Sequence, residues 1–312
     1  MHRITRETQE RAGYRYAFDP DDDPLLTVDP GERLVVESED SYHGQLFAEG
    51  HRDRSTEPRS NPLSGPIAVD GSSPGDTLAV HVESIEPLEG RASTYVPSWW
   101  WYLGPMASRR AMDDFVGVDP PEEARELAIG LDGDDAEGTI DVDGHTVPYE
   151  PMLGTIGTAP ARTPAPNGPA GPHGGNMDLP IVHPGSTVYL PVNVPDALLA
   201  LGDAHAAQGE AEVTGVAAEM PARTTLQVDL LRGHDLSWPR VETDTYLYAV
   251  AAKTPFSTFE DAIRLAFVLL VGWLETRGTD RYDALRLAAV AGRLLVGNFN
   301  CVAAGLPKAL LD

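Results

Sequence analysis

The chain is nearly free of cysteine and lysine. Cys301 is the only cysteine in 312 residues, which excludes an intrachain disulfide and any zinc site built from several thiolates. Lys253 and Lys308 are the only lysines, so arginine supplies nearly all the positive charge. That charge is itself scarce: 48 acidic side chains stand against 23 basic ones, and the formal charge of -25 disfavours nucleic acid and anionic membranes as partners. Long apolar runs are missing too. The longest, Leu265 to Leu274, is too short to span a bilayer and is flanked by Glu260, Asp261, Arg264 and Glu275. Met1 to Glu10 lacks the apolar core of a secretory signal, and together with the lone cysteine this predicts a reducing, cytoplasmic setting. An acidic, lysine-poor surface suits concentrated salt, where screening removes most self-repulsion, so the unfolding midpoint is expected to rise with added KCl.

An apolar fraction of 42% is enough for a sizeable core. Between Leu25 and Glu86 short apolar runs are broken by turn residues, at Leu25 to Val28, Leu34 to Glu37, Pro66 to Val69 and Thr77 to Ile85, and the last alternates with period two. These predict strands. Thr139 to Val147 reads as a hairpin about Asp143 and Gly144, and Ser186 to Val194, Glu212 to Val216 and Thr225 to Leu230 read as further strands. Pro160 to Pro172 reads as a rigid loop. Residues 91–138 stand apart as an insertion or cover, with Trp99, Trp100 and Trp101 in succession and a helix-compatible segment from Pro121 to Ile129. Near Tyr248 the strand character ends. Ser257 or Thr258 caps a helix with Glu260 and Asp261 in its first turn and Gly278 at its end, and Asp280 caps a second helix running towards Gly297. The expected fold is mainly β with α: one domain over residues 1–312, β-rich over 20–250 and helical over 256–298. Its architecture is layered β/β/α, with antiparallel or mixed sheets and the C-terminal helices on one face.

Three stretches concentrate polar groups. Glu37 to Gln45 combines Asp40, His43 and the amide of Gln45 after a predicted strand; alone it fits a solvated turn equally well. In Gly171 to Asp178 (GPHGGNMD), His173 lies between proline and two glycines, where neither helix nor strand explains it, and it can converge with Asp178 on one metal or substrate group. In Gly202 to Glu212, Asp203 and His205 share a face of an extended segment, and Gln208, Glu210 and Glu212 follow around the Gly209 break. Several familiar hydrolase constellations lack their residues. A Cys-Glu-Lys site would need Cys301 as nucleophile with only two lysines to choose from, and a Ser-Ser-Lys site would need a Gly-Ser-Ser-Gly-Gly run, whereas Gly71, Ser72, Ser73 continues into Pro74. No His-Glu-x-x-His helix occurs. A metal held by such a cluster, with a leftover carboxylate as base for its bound water, is compatible with these residues.

The sequence resembles the acetamidase/formamidase family in several motifs, in order: Gly65-Pro66-Ile67 to Pro74-Gly75-Asp76, Pro151 to Pro160 (PMLGTIGTAP), PHGGNMD, Leu190 to Val213 (LPVNVPDALLALGDAHAAQGEAEV) and the closing Leu306-Pro307-Lys308. It departs at Gly13 to Phe18, where homologues commonly carry a His and a Trp. The resemblance implies hydrolysis of a short aliphatic amide, formamide or acetamide in type, to a carboxylate and ammonia. It also implies a β-rich layered fold, bound zinc and possibly calcium as well, and a homodimer or higher homo-oligomer. On this reading Asp40, His173, Asp203 and His205 supply most metal ligands and Glu210 carries the proton to the departing amine. Glu212 and Asp178 are alternatives for that role or ligands of a second cation, and Gln45, Asn176 and Gln208 hydrogen-bond the amide or the developing oxyanion. Two other readings stay open: a cyclase-like or aryl-formamide hydrolase, whose His-x-Gly-Thr-His-x-Asp motif is not matched after His173, and a metal-stabilised β protein that binds without turnover.

Overall fold

Residues 246–252, YLYAVAA, are apolar on both sides of the strand they form, Tyr246–Ala252, and the two sides enter different cores. Tyr248, Val250 and Ala252 face the space between two sheets, while Leu247, Ala249 and Ala251 face the helix Phe259–Thr276. The adjacent strand Cys301–Pro307 repeats the pattern, with Cys301 and Ala303 on the inter-sheet side and Val302, Ala304 and Leu306 against the helix. A strand covered on both faces loses the usual polar alternation and reads as a continuous apolar run. Three layers result: an eleven-stranded sheet, a nine-stranded sheet and a pair of helices, the expected β/β/α stack. The computed structural model describes residues 1–96, 124–131, 138–298 and 300–311.

The helical layer forms for local reasons. The Thr258 hydroxyl accepts from the Asp261 amide at 3.2 Å while the Asp261 carboxylate accepts from the Thr258 amide at 2.9 Å, a reciprocal cap that satisfies free N–H groups. Ala262, Ala266, Leu270, Val271, Trp273 and Leu274 make the buried stripe. The second helix, Arg281–Ala291, starts at Asp280 as expected but stops well before Gly297. Gly292 takes an extended conformation, and Arg293–Val296 leaves the helix to pair with Cys301–Pro307 as the edge strand of the nine-stranded sheet.

Elsewhere the strands match their apolar runs, and the Asp143-Gly144 turn has both central residues at positive φ, as a two-residue hairpin requires. Three expectations change. Arg125–Leu131 is a strand rather than part of a helix, because Leu127 and Ile129 alternate with exposed neighbours; the remainder of the Trp-rich segment, including Trp99 to Trp101, lies outside the described residues. Glu212 to Val216 is a turn, and Pro160 to Pro172 contributes two short strands, Ala165–Pro166 and Ala170–Gly171. Gly71 to Gly75, which fits the spacing Gly-x-Ser-x-Gly, is a turn between two strands, not the strand-to-helix elbow of a serine nucleophile. Among the described residues no helix is long and apolar enough to cross a membrane.

At the centre of the eleven-stranded sheet Leu199–His205 pairs antiparallel with Met152–Gly157 and with Glu219–Met220. Strict alternation fails here. Leu199 and Leu201 face the inter-sheet core, and so do Ala204 and Ala206; on the partner strand Leu153 and Ile156 do. Both strands therefore change phase at the level of Gly154 and Asp203, where Asp203 sits at φ 57°. The step turns Asp203 and His205 away from the apolar interior, the way an irregularity in a ladder re-aims side chains.

Candidate functional site

The phase step creates a polar centre on the outer side of the eleven-stranded sheet. His205 lies opposite Glu219 in register, so their side chains meet directly. Asp178 enters from the turn after Gly174–Asn176, and Glu212 from the turn after Gly209. Asp178, Asp203 and His205 offer ligand atoms within 4.8 Å of one another, and so do His205, Glu212 and Glu219. Gly154 makes this approach possible, since a Cβ there would overlap both Asp178 Oδ1 and Asp203 Oδ2. Asp178, Asp203 and Glu212 all hold positive φ, at 46°, 57° and 43°, a conformation costing about 1–3 kcal/mol each for residues other than glycine.

All five side chains are buried, none more than 7% exposed, and together they carry four carboxyls to one imidazole. His205 Nε2 lies 3.2 Å from Glu219 Oε2 and 3.5 Å from Asp203 Oδ1 but is aligned with neither for a hydrogen bond. Asp178 Oδ1 likewise has no partner among the described residues. Ser41 Oγ reaches both Asp203 Oδ1 and Glu219 Oε2 with a single proton to give. Burial, with Asp203 nearby, pushes the Asp178 carboxyl up to about 8, and burial with Asp178 pushes Glu212 well above the usual carboxylate range. Burial also lifts Asp203, but the His205 imidazole and the hydroxyls of Ser41 and Thr155 outweigh it and hold that carboxyl low. Burial opposes charge on His205, yet Glu219 and Asp203 raise it well above the ordinary imidazole value. Buried like charges with unsatisfied lone pairs are costly. One imidazole nitrogen, several carboxylate oxygens and unpartnered atoms facing one point form a donor set that fits a divalent metal ion.

Above the cluster opens a cavity of about 240 Å³. Asp203, Glu212 and Glu219 form its buried floor with Asn176, and Tyr42, Arg52, Arg54 and Asn61 stand around them. Asn176 Oδ1 accepts from Thr155 at 2.6 Å, which leaves its Nδ2 donors for the cavity. Asn61 Nδ2 donates to Asp203 Oδ2 at 3.1 Å.

Of the residues singled out from sequence, Asp178, Asp203, His205 and Glu212 come together and Asn176 lines the cavity. The others go elsewhere. Asp40 is buried but closes its own turn, accepting from the Tyr42 and Gly44 amides at 2.7 Å each; its neighbour Ser41 is the one that reaches the cluster. His173 does not join the metal-ligand group: it packs edge-on against Phe18 at 5.0 Å, with Nε2 unpartnered, and burial lowers its imidazole to about 4. Gln45 is occupied by Arg52, Asp53 and Thr56. Gln208 sits behind the cluster: Oε1 lies 2.9 Å from His205 Nδ1 and Nε2 donates to the Asp178 carbonyl, so it orients the imidazole with Nε2 toward the carboxylates. Glu210 is exposed, accepts from the Val296 amide at 3.1 Å and lines a separate cavity with Gln208, because the turn at Gly209 sends Glu210 and Glu212 to opposite sides. Glu219, Ser41 and Asn298 were not singled out. Glu219 had a signal, a lone acid between Ala218 and Met220 in an apolar run. Asn298, which donates to Asp178 Oδ2 at 2.8 Å and to the Asn176 carbonyl at 2.9 Å, had none.

An acetamidase from Yersinia enterocolitica superposes on the chain with a TM-score of 0.84 at 33% identity, covering 100% of this chain and 93% of that one. A formamidase from Methylophilus methylotrophus is 27% identical over 68% of this chain and 63% of its own length. An acetamidase from Mycolicibacterium smegmatis is 28% identical over 69% of this chain and 65% of its own length. The chain thus spans less than two thirds of these two curated relatives. The profile of the Acetamidase/Formamidase family matches residues 3–167 and 161–292, and the chain belongs to that family.

Proposed function

We propose that this protein hydrolyses a short linear amide to a carboxylate and ammonia in the cavity above Asp203, Glu212 and Glu219. The observation that carries the reading is the buried cluster itself: Asp178, Asp203, His205, Glu212 and Glu219 converge with unpartnered atoms beneath a cavity, in a family whose relatives are named for amide hydrolysis. A divalent cation in this set would supply Lewis acidity to the amide carbonyl and to the attacking water. The His205 nitrogen favours zinc, and the surplus of carboxylate oxygens leaves room for a harder ion such as calcium.

The chain's own residues account for the other steps. Gln208 holds the His205 ring so that Nε2 faces the carboxylates. Glu212 faces the cavity where burial raises its proton affinity, so that as the carboxylate it can take a proton from water and, once protonated, return it to the departing amine. Asn176 Nδ2 points a neutral donor toward the cavity, where one donor to a developing oxyanion is worth roughly 3 kcal/mol of barrier. Ser41 donates to one oxygen of the Asp203 carboxylate and Asn61 to the other, fixing it from two sides.

The test is ammonia release from formamide and acetamide by purified protein, before and after chelation and with His205→Ala. The expected result is loss of activity in both cases, with recovery of the chelated wild type on adding zinc. Full activity after chelation and in the variant would overturn the reading.

A further inference from the structure

The cavity is polar at both ends but with opposite sign. Its floor is carboxylate, whereas its more exposed side carries Arg52 and Arg54 in a chain with very little positive charge. Water occupies about 30 Å³ in the liquid, so an acetamide would leave much of the 240 Å³ unfilled.

Arg52 is held in place by neutral groups. Its guanidinium donates to Gln45 Oε1 at 2.9 Å and to the Arg59 carbonyl at 2.5 Å, and it lies over the Tyr42 ring at 5.2 Å. No carboxylate among the described residues is within ion-pair distance of it, although most other arginines are so paired. The loop that carries it is fastened along its length. Gln45 also binds Asp53 and Thr56, the Arg59 guanidinium stacks on Tyr16 at 3.9 Å, and Asn167 donates to the Ser60 and Asn61 carbonyls. Its far end, Asn61, bonds Asp203 on the floor. A fixed guanidinium with unused donors at the mouth of a cavity is a receptor for a planar anion.

We propose that the substrate is a half-amide, a short chain with an amide at one end and a carboxylate at the other, whose carboxylate is bound by the Arg52 guanidinium while its amide lies over the cluster. This rests on amide hydrolysis at that cluster. Gln45, through its four bonds to the loop, positions Arg52.

Two amides of similar size test it: succinamate, which carries the carboxylate, and pentanamide, which does not. Ammonia release at fixed salt should give succinamate a kcat/KM at least tenfold higher. Arg52→Gln should collapse that ratio toward unity through KM for succinamate, and Arg52→Lys should restore part of it. Pentanamide hydrolysed as well as succinamate by the wild type, or a preference that survives Arg52→Gln, would overturn the proposal. Calorimetry with succinate and the neutral diamide succinamide separates this from failure of the hydrolytic reading. If neither amide releases ammonia but succinate binds more tightly than succinamide and Arg52→Gln removes the difference, anion recognition stands and hydrolysis falls. Equal binding of succinate and succinamide overturns recognition whatever the turnover.

Discussion

The helix-covered side of the nine-stranded sheet and the outer side of the eleven-stranded sheet are built on different principles. On the first, leucine, alanine and valine side chains from Tyr246–Ala252 and Cys301–Pro307 pack on Ala262, Ala266 and Leu270, and no residue beyond 212 other than glycine takes a positive φ among those described. On the second, three of five buried polar residues do, and four carboxyls crowd one imidazole. The first region is held by apolar packing and local capping. The second stores conformational and electrostatic cost that a bound cation would offset, as expected where function rather than stability has set the residues.

The contrast can be broken most severely from the polar side. Glu219→Ala removes the register partner of His205 and should lower kcat/KM for ammonia release roughly a thousandfold, about 4 kcal/mol of barrier, with loss of bound metal by elemental analysis. Retention of both would place the chemistry elsewhere. On the apolar side Leu270→Ala should cost about 2–5 kcal/mol of unfolding free energy in denaturant titrations while leaving turnover per folded molecule unchanged. His173 sharpens the boundary between the regions. Its imidazole is held neutral down to about pH 4, below the ordinary 6.5, so the folded state binds fewer protons than the unfolded one in that window. Stability present above pH 6.5 should therefore fall by about 3 kcal/mol as the pH drops to 4, and His173→Leu should flatten that limb. The smallest effect is also the most diagnostic. In chelated protein held at pH 9, above the raised Asp178 value of about 8, Asp178→Asn keeps an acceptor for Asn298 but deletes a buried like charge, and should raise the thermal midpoint by the equivalent of about 1–2 kcal/mol. A lowered midpoint would mean that the carboxylates are not in conflict.

These two regions were unequally legible in the sequence. The helical layer announced itself through Thr258, Asp261 and a helical stripe, all local signals, but strand character does not end near Tyr248: the hairpin of Arg293–Val296 with Cys301–Pro307 escaped, because it is held in the sheet by pairing with Tyr246–Ala252, far earlier in the chain. In the site, Asp203 and His205 were readable because two-residue spacing in an extended segment gives a common face. Asp178 was readable from the glycines before it. Glu210 lies apart from the cluster because proximity along a chain says nothing of direction once a turn intervenes, and the Glu212 turn reverses it. Asp40 shows the same limit: an acid at the end of a strand can serve its own backbone, while the adjacent serine does the reaching. Asn298 and Arg52 arrive from segments whose positions only the assembled sheets define.

The bare backbone at Gly154 has a consequence for how this architecture can diversify. Even a methyl group there would occupy the space where two carboxylate oxygens now stand, so the innermost geometry cannot be adjusted by enlarging that position. A change on the loop between His51 and Asn61, by contrast, would leave that geometry in place as long as Asn61 keeps its bond to Asp203. One unchanging heart with a replaceable gate is how such a scaffold could accept new substrates while keeping its chemistry.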